Sequence, residues 1–335
     1  MNNAVFYLLI LVLSFLFTFL VRKWAIHKSI MDHPNERSSH TISTPRGGGV
    51  AIATTWFLGL VYFKWSGQIN STLFWALLSG LPLALIGFLD DILNLKPEIR
   101  FLIQFVSAGL ALFFLGGFHT IDLGFCVVSN IWIFTPIALI AIVWAINLFN
   151  FLDGIDGYIS TEVIFIGLSM LFLFSDNIGL LLAAAVLGFL FWNWQKARIF
   201  MGDVSSTLLG FNVAVFAIFY QNTGKTSIIV WLILTSVFWF DATITLFRRI
   251  RNNENLGQAH RKHAFQRIVQ AGFSHQKTVL WALCFNVIGL GFVWGSLQLP
   301  QYAILFLLID ILLLFFVHRY IDKKKAFDNS NVKNT

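Results

Sequence analysis

Residues 128–157 read VSNIWIFTPIALIAIVWAINLFNFLDGIDG. About twenty residues without a charge, 128–147, run into Asn147, Asn150, Asp153 and Asp156, spaced three apart. At about 1.5 Å of rise per residue such a run matches the roughly 30 Å hydrocarbon core of a bilayer. The polar groups that end it would then stand at the membrane rim. The same pattern recurs near 4–21, 48–64, 72–90, 100–117, 159–175, 178–194, 205–221, 227–247, 278–297 and 302–318. Together these segments predict an all-α fold, a polytopic membrane helical bundle of about 11 transmembrane helices. Composition agrees: 57% of the 335 residues are hydrophobic, 12% are charged and 37 are Phe. Mean hydropathy is +0.76, outside the range of soluble domains. The first run, Val5 to Leu20, has no basic stretch before it and no small-residue cleavage site after it, so it reads as a retained helix rather than a signal peptide.

Basic residues orient the bundle, because Lys and Arg concentrate in cytoplasmic loops. With the N-terminus outside and the C-terminus cytoplasmic, 21 of the 23 Lys and Arg fall inside, leaving only Lys64 and Lys225 outside. The expected location is the cell (inner) membrane, multi-pass. The net charge of +7 is then a topology signal that can also attract anionic headgroups or phosphates; no pattern points to nucleic acid. Cys126 and Cys284 read as isolated small core residues, neither metal ligands nor a disulfide. No repeat or linker divides the chain, so residues 1–320 are expected to form a single polytopic domain, followed by a polar, Lys-rich solvated tail at 321–335.

In this topology Asp32, Glu36, Asp90, Asp91, Glu98, Asp153, Asp156, Asp203 and Glu254 gather at the cytoplasmic face, with Asp122 and Asp176 opposite. Ionisable groups at membrane depth are expensive and usually functional. Asp90-Asp91 ends the third segment. Adjacent carboxylates repel unless a cation lies between them or one stays protonated, and on a helix they point about 100° apart, which suits different tasks. If helical, Asn147, Asn150, Asp153 and Asp156 form one ridge. Phe200-Met201-Gly202-Asp203-Val204-Ser205-Ser206 leads into the eighth segment, where Asp203 can cap the helix or hold Mg²⁺ while amides meet phosphate. His260 and His263 lack the further ligands of a zinc site, and with Arg261, Lys262 and Arg267 alongside they read as donors to phosphate. Arg46-Gly47-Gly48-Gly49 is either a flexible, amide-rich cradle for a diphosphate or a simple turn into the second helix. Oxygen ligands for a hard cation, cationic donors and a candidate base form the set that phosphoryl transfer with Mg²⁺ requires.

Phe-Met-Gly-Asp at 200–203, with Asp90-Asp91 and Asn150 through Gly157, resembles the polyprenyl-phosphate N-acetylhexosamine-1-phosphate transferase family over about Asp32 to Phe273. The resemblance implies that sugar-1-phosphate passes from a UDP-N-acetylhexosamine to undecaprenyl phosphate at the cytoplasmic face, releasing UMP. It implies Asp203 as the direct Mg²⁺ ligand (Mn²⁺ as a substitute) with Asp91 assisting, and Asp90 as the base. Asp90, Asp91, Asp203 and His263 form the expected catalytic set. Arg46, Lys96, Asn150, Asp153, Asp156, Asn193, Phe200, His260 and Arg261 form the substrate-binding set. Membrane lipids surround the protein, and a homodimer is what the family suggests. Asn94 stands where members often carry Lys, so Lys96 or Arg100 must supply that charge; Ser205 replaces a usual Gly. The histidine motif is thinned, which resembles the branch initiating O-antigen or capsule rather than the phospho-N-acetylmuramoyl-pentapeptide transferases, with UDP-GlcNAc or a 6-deoxy relative as donor.

Two other classes would leave different marks in the sequence. A membrane prenyltransferase would need a second matching Asp-rich repeat, which is missing. A lipid transporter would place ionisable groups at the midplane, where only Glu162, Asp241 and Asp310 come near.

Overall fold

The computed structural model describes residues 3–34, 42–93, 95–258 and 260–327. Glu36 and its neighbours in the first inward loop, Asn94, Ala259 and tail residues 328–335 lie outside the described residues. The chain runs α1 (Asn3–His27), β1 (Met31–Asp32), β2 (Thr44–Pro45), α2 (Gly49–Trp65), α3 (Ser71–Leu78), α4 (Leu81–Leu93) and α5 (Pro97–Leu115). It continues through β3 (Thr120–Asp122), β4 (Val127–Ser129), α6 (Ile131–Leu152), α7 (Tyr158–Phe174), α8 (Ile178–Asn193) and α9 (Asp203–Asn222). The last elements are α10 (Ile228–Leu234), α11 (Ser236–Arg251), α12 (Ala264–Gln270), α13 (His275–Gln298) and α14 (Ala303–Lys324). The strands form two short antiparallel ribbons in the connections, Met31 opposite Pro45 and Thr120 opposite Ser129.

This is a helical, multi-pass membrane protein. Each apolar segment read from the sequence falls on a helix or a helix pair, and among the described residues seven spans are long and apolar enough to cross a membrane. The α10–α11 pair, bent by 80°, makes an eighth. The expected count of 11 included α2, α7 and α8, which at 17, 17 and 16 residues extend only about 25 Å.

Local signals explain where helices start and stop. Asn70 and Asn130 cap α3 and α6 by accepting from Thr72 N and Ile133 N, and Ser274 caps α13 through Lys277 N. α5 opens on Pro97 and closes on Gly116 in the left-handed conformation, the usual asymmetry of helix ends. α9 is the axis of the bundle, buried along most of its length between α4 and α6. It comes close because small residues face it: a Cβ on Gly87 would lie 2.7 Å from Val204. Such close approach is how membrane helices gain packing without a hydrophobic drive between them.

Two expectations change here. Cys126 and Cys284 are exposed, not core; the surface of a membrane bundle is itself apolar, so a small apolar residue has no need of the interior. The solvated tail begins later than Tyr320, since α14 continues to Lys324 and Asp322 accepts from Arg248 and Arg267.

Candidate active site

The α4 terminus, the first turn of α5 and the start of α9 meet at one end of the bundle. Asp90 Oδ1 accepts from Leu95 N at 2.7 Å, which turns the chain toward Pro97 and brings Arg100 back over α4. Arg100 Nη1 then lies 2.9 Å from Asp90 Oδ2 and 3.1 Å from Asp203 Oδ2. One guanidinium holds together two carboxylates that would otherwise repel.

Asp91 points elsewhere, as the 100° offset requires. It is 6% exposed, with Arg46 Nε at 3.9 Å from its Oδ1 and Arg46 Nη2 donating to its backbone carbonyl. Its Oδ2 is buried without a hydrogen-bond partner among the described residues. Gly202, at φ +75°, passes so close that any Cβ there would collide with that oxygen; glycine is what lets the Met201–Asp203 backbone reach Asp91. An unpaired buried carboxylate oxygen is costly, and Asp91 with Asp203 would offer Mg²⁺ the oxygen donors that it takes from protein. Among the described residues no group of three or more His, Cys, Asp or Glu could hold a metal ion unaided.

Asn150 is oriented by Ser206, whose Oγ donates to Asn150 Oδ1 at 3.1 Å, so its Nδ2 faces Asp203 Oδ2 at 3.4 Å. The expected four-residue ridge is divided, because α6 ends at Leu152. Asn147 turns to α5 and exchanges hydrogen bonds with Gln104, at 2.7 and 3.4 Å. Asp153 and Asp156 stand in the following loop. Burial, then the charges of Asp203, Asp91, Asp156 and Asp32, push the Asp153 carboxyl up to about 7. Asp156 Oδ2 accepts from Ala197 N at 3.1 Å and lies 3.3 Å from His275 Nδ1.

Asn193 and Phe200 build walls rather than offering free groups. Asn193 accepts from Gly157 N at 2.9 Å and donates to Ile199 O at 3.0 Å. Phe200 N donates to Pro45 O, and its carbonyl accepts from Gly48 N. The glycine run is therefore no flexible diphosphate cradle: the amides of Gly48 and Gly49 are spent on Phe200 O and Met201 O at 2.9 and 2.8 Å. Ser205, in place of the family's glycine, donates to Gly49 O at 2.7 Å and fastens α9 to α2.

Arg100, Asn150 and Asp203, with His260 and His263, line one end of a cavity of about 680 Å³. Its remaining wall is largely apolar, with Ile86, Phe101, Ile140, Trp144 and Leu246. His260 and His263 arrive on the 252–263 connection, their rings 5.0 Å apart. His260 Nδ1 accepts from Lys262 N at 3.2 Å, which assigns the ring proton to Nε2. Burial, then the neighbouring His263 and Arg249, push His260 down to about 3, so it is a neutral donor. His263 Nδ1 stands 3.7 Å from Asp241 Oδ1. Asp241 also accepts from Ala264 N at 2.8 Å; it fixes this connection, which removes it from the midplane groups of a transporter reading. Arg261 is not among the residues lining the cavity, and Lys96 is exposed at the start of α5.

Of the two basic residues offered for the missing lysine, then, Arg100 makes the contacts. Sequence reasoning overlooked Arg249 and His275. Arg249 was legible as an arginine near the end of an apolar helix, and is 4% exposed. It donates to Glu254 and to the carbonyls of Asn255, Leu256 and Gln258. His275, first residue of α13, carried no local signal.

The profile of Glycosyl transferase family 4 matches residues 73–221, which span α3 to α9 and so hold the carboxylate cluster. A probable undecaprenyl-phosphate N-acetylglucosaminyl 1-phosphate transferase of Bacillus subtilis (strain 168) is 32% identical over 282 residues, 78% of this chain and 75% of the relative. The undecaprenyl-phosphate alpha-N-acetylglucosaminyl 1-phosphate transferase of Escherichia coli (strain K12) is 29% identical over 334 residues, covering 92% and 88%. That of Yersinia pestis is 28% identical, covering 94% and 90%. With the motifs in place and the match extending over most of both chains, this protein belongs to the polyprenyl-phosphate N-acetylhexosamine-1-phosphate transferase family.

Proposed function

We propose that the protein transfers N-acetylhexosamine-1-phosphate from UDP-GlcNAc, or a 6-deoxy relative, to undecaprenyl phosphate, starting a cell-envelope polysaccharide. The observation that carries this reading is the cavity: its largely apolar lining from α4, α5, α6 and α11 also includes Arg100, Asp203 and two histidines. A prenyl chain suits the apolar lining and phosphates suit the charged groups.

Asp90 takes the proton of the lipid phosphate, whose oxygen attacks the phosphorus next to the sugar. The bond from that phosphorus to the bridging oxygen breaks, and UMP leaves with the electron pair. Asp91 and Asp203 would hold Mg²⁺, which supplies charge neutralisation for the phosphates and the leaving group. Arg100, released from Asp90 and Asp203 as phosphate enters, and His260, through Nε2–H, donate to the diphosphate. Asn150 steadies Asp203. Asp153 and Asp156 face the nucleotide, and Asn193 and Phe200 shape its wall.

The reading also takes in topology: eleven crossings, N-terminus outside, the site at the cytoplasmic face of the inner membrane. The polarity of the charged loops supports it, as do Trp65 and Trp132, 83% and 88% exposed, at the ends of α2 and α6 assigned to the outer interface. Cys126, exposed in the β3–β4 ribbon, should then react with a membrane-impermeant maleimide from the periplasmic side; labelling only from the cytoplasmic side would reverse the orientation. Activity is tested by offering a panel of UDP-sugars with Mg²⁺ and undecaprenyl phosphate. Lipid-dependent formation of a lipid-linked sugar diphosphate is expected, with one donor preferred. No product from any donor would overturn the assignment.

A further inference from the structure

The connection that carries His260 and His263 to the cavity is tied down from a place far along the chain. Arg248, at the end of α11, makes a forked pair with Asp322 on the last turn of α14, Nη1 to Oδ1 at 2.9 Å and Nη2 to Oδ2 at 3.0 Å. Arg267, on α12 and 2% exposed, donates to the same Asp322 Oδ1 at 2.6 Å and to Lys325 O at 2.9 Å. Its Nε donates to Lys262 O at 3.1 Å, one residue from His263. The Phe327 ring closes over this cluster, with Arg248, Lys262 and Arg267 at 5.3, 5.1 and 5.5 Å from its centroid.

One carboxylate therefore joins both ends of the 248–267 segment. Forked Arg–carboxylate pairs fix orientation as well as distance. Within the segment, Arg249 gathers the carbonyls of Asn255, Leu256 and Gln258, so the constraint passes to residues that line the cavity. Neither Arg248 nor Arg267 is among the residues that line the cavity. A link serving stability alone has no need to span both flanks of the histidine connection.

We propose that Asp322 is a positioning residue: through Arg248 and Arg267 it sets the placement of His260 and His263 at the rim of the cavity. The proposal rests on the transferase reading for its kinetic consequence, though not for its structural one.

The test uses the full chain in detergent or nanodiscs, with Asp322→Asn, Asp322→Glu and Arg248→Lys. Asp322→Asn is expected to lower kcat about tenfold, since misplacement of about 1 Å can cost more than that, with a smaller change in the KM for UDP-sugar. Hydrogen exchange should quicken at residues 254–263 and stay unchanged along α9. Asp322→Glu should recover most of the rate. Arg248→Lys, which keeps the charge and loses the fork, should behave like a milder Asp322→Asn. Combined with His263→Ala, Asp322→Asn should add little further loss, because both act through one element. Wild-type exchange at 254–263 in Asp322→Asn and Arg248→Lys would overturn the proposal, as would a rate loss that adds fully to that of His263→Ala. If the wild type itself makes no product, the transferase reading fails while the exchange measurement still decides the positioning claim.

Discussion

Carboxylates stand beside both ends of α9, and they are treated in opposite ways. At the C-terminal end Asp176 is fully engaged: it accepts from the Tyr220 hydroxyl, from Lys225 at 3.2 Å and from Ile178 N at 3.0 Å. At the N-terminal end Asp90 and Asp203 share one guanidinium, and Asp91 keeps a buried oxygen with no partner among the described residues. A carboxylate that only holds helices together gains by satisfying every lone pair. Under the proposed function, the acids at the N-terminal end are left for a cation and a phosphate to complete, and the protein bears that cost in the free state.

If this contrast is real, substitutions at the two ends should separate activity from stability. The largest effect is expected for Asp91→Asn, a loss of about 10²–10³ in turnover, comparable to removing one group that stabilises the transition state. Because the change also relieves repulsion from Asp203 and Asp90, the metal-free protein should unfold at the same or a higher temperature. A parallel loss of activity and stability would place Asp91 with Asp176 as a structural acid. Next is Arg100→Gln, expected to cost about tenfold to a hundredfold in kcat/KM, with Arg100→Lys recovering part of it because the ammonium keeps the charge but not the guanidinium's planar set of donors. Equal activity in Arg100→Gln would mean that the bridge exists only to hold the free protein.

A smaller effect concerns pH. The Asp153 carboxyl sits at about 7, above its ordinary value of 3.8, so its proton favours the folded state at low pH and that contribution is lost as pH rises through about 7. Metal-free stability should decline from pH 4 to 7 with a slope of at most about 1.4 kcal/mol per pH unit from this residue. Mg²⁺ beside Asp203 and Asp91 should flatten the slope, and so should Asp153→Asn. A slope indifferent to both would detach Asp153 from the cluster. The smallest change is expected for Asp176→Asn: turnover within about twofold and a loss of roughly 1 kcal/mol in stability.

Much of the fold was legible because hydrocarbon imposes length and polarity on every helix, so the apolar runs and their charged flanks mark the elements directly. What could not be read was how long each helix runs, as in α7 and α8 at 17 and 16 residues, since an apolar run has the same composition whether lipid or protein covers it. The carboxylate cluster was legible through charge at a helix end, where it is costly. Arg100 as the bridging cation was not, because the turn at Leu95 decides whether Lys96 or Arg100 faces the acids. The glycines at 47–49 misled for a related reason: sequence shows that the backbone can come close, and only the structure shows that Phe200 and Met201 are what it approaches. Asp241 and Asp322 act across long separations and left no local pattern.

The most direct measurement is UMP release with undecaprenyl phosphate and the preferred UDP-sugar, run side by side for the wild type, Asp203→Asn and Asp176→Asn at equal folded protein. The expected result is release that depends on lipid, nearly equal in wild type and Asp176→Asn, and reduced by about 10³ or more in Asp203→Asn. Retention of wild-type release by Asp203→Asn would contradict the claim that the unsatisfied end of α9 is where phosphate is transferred.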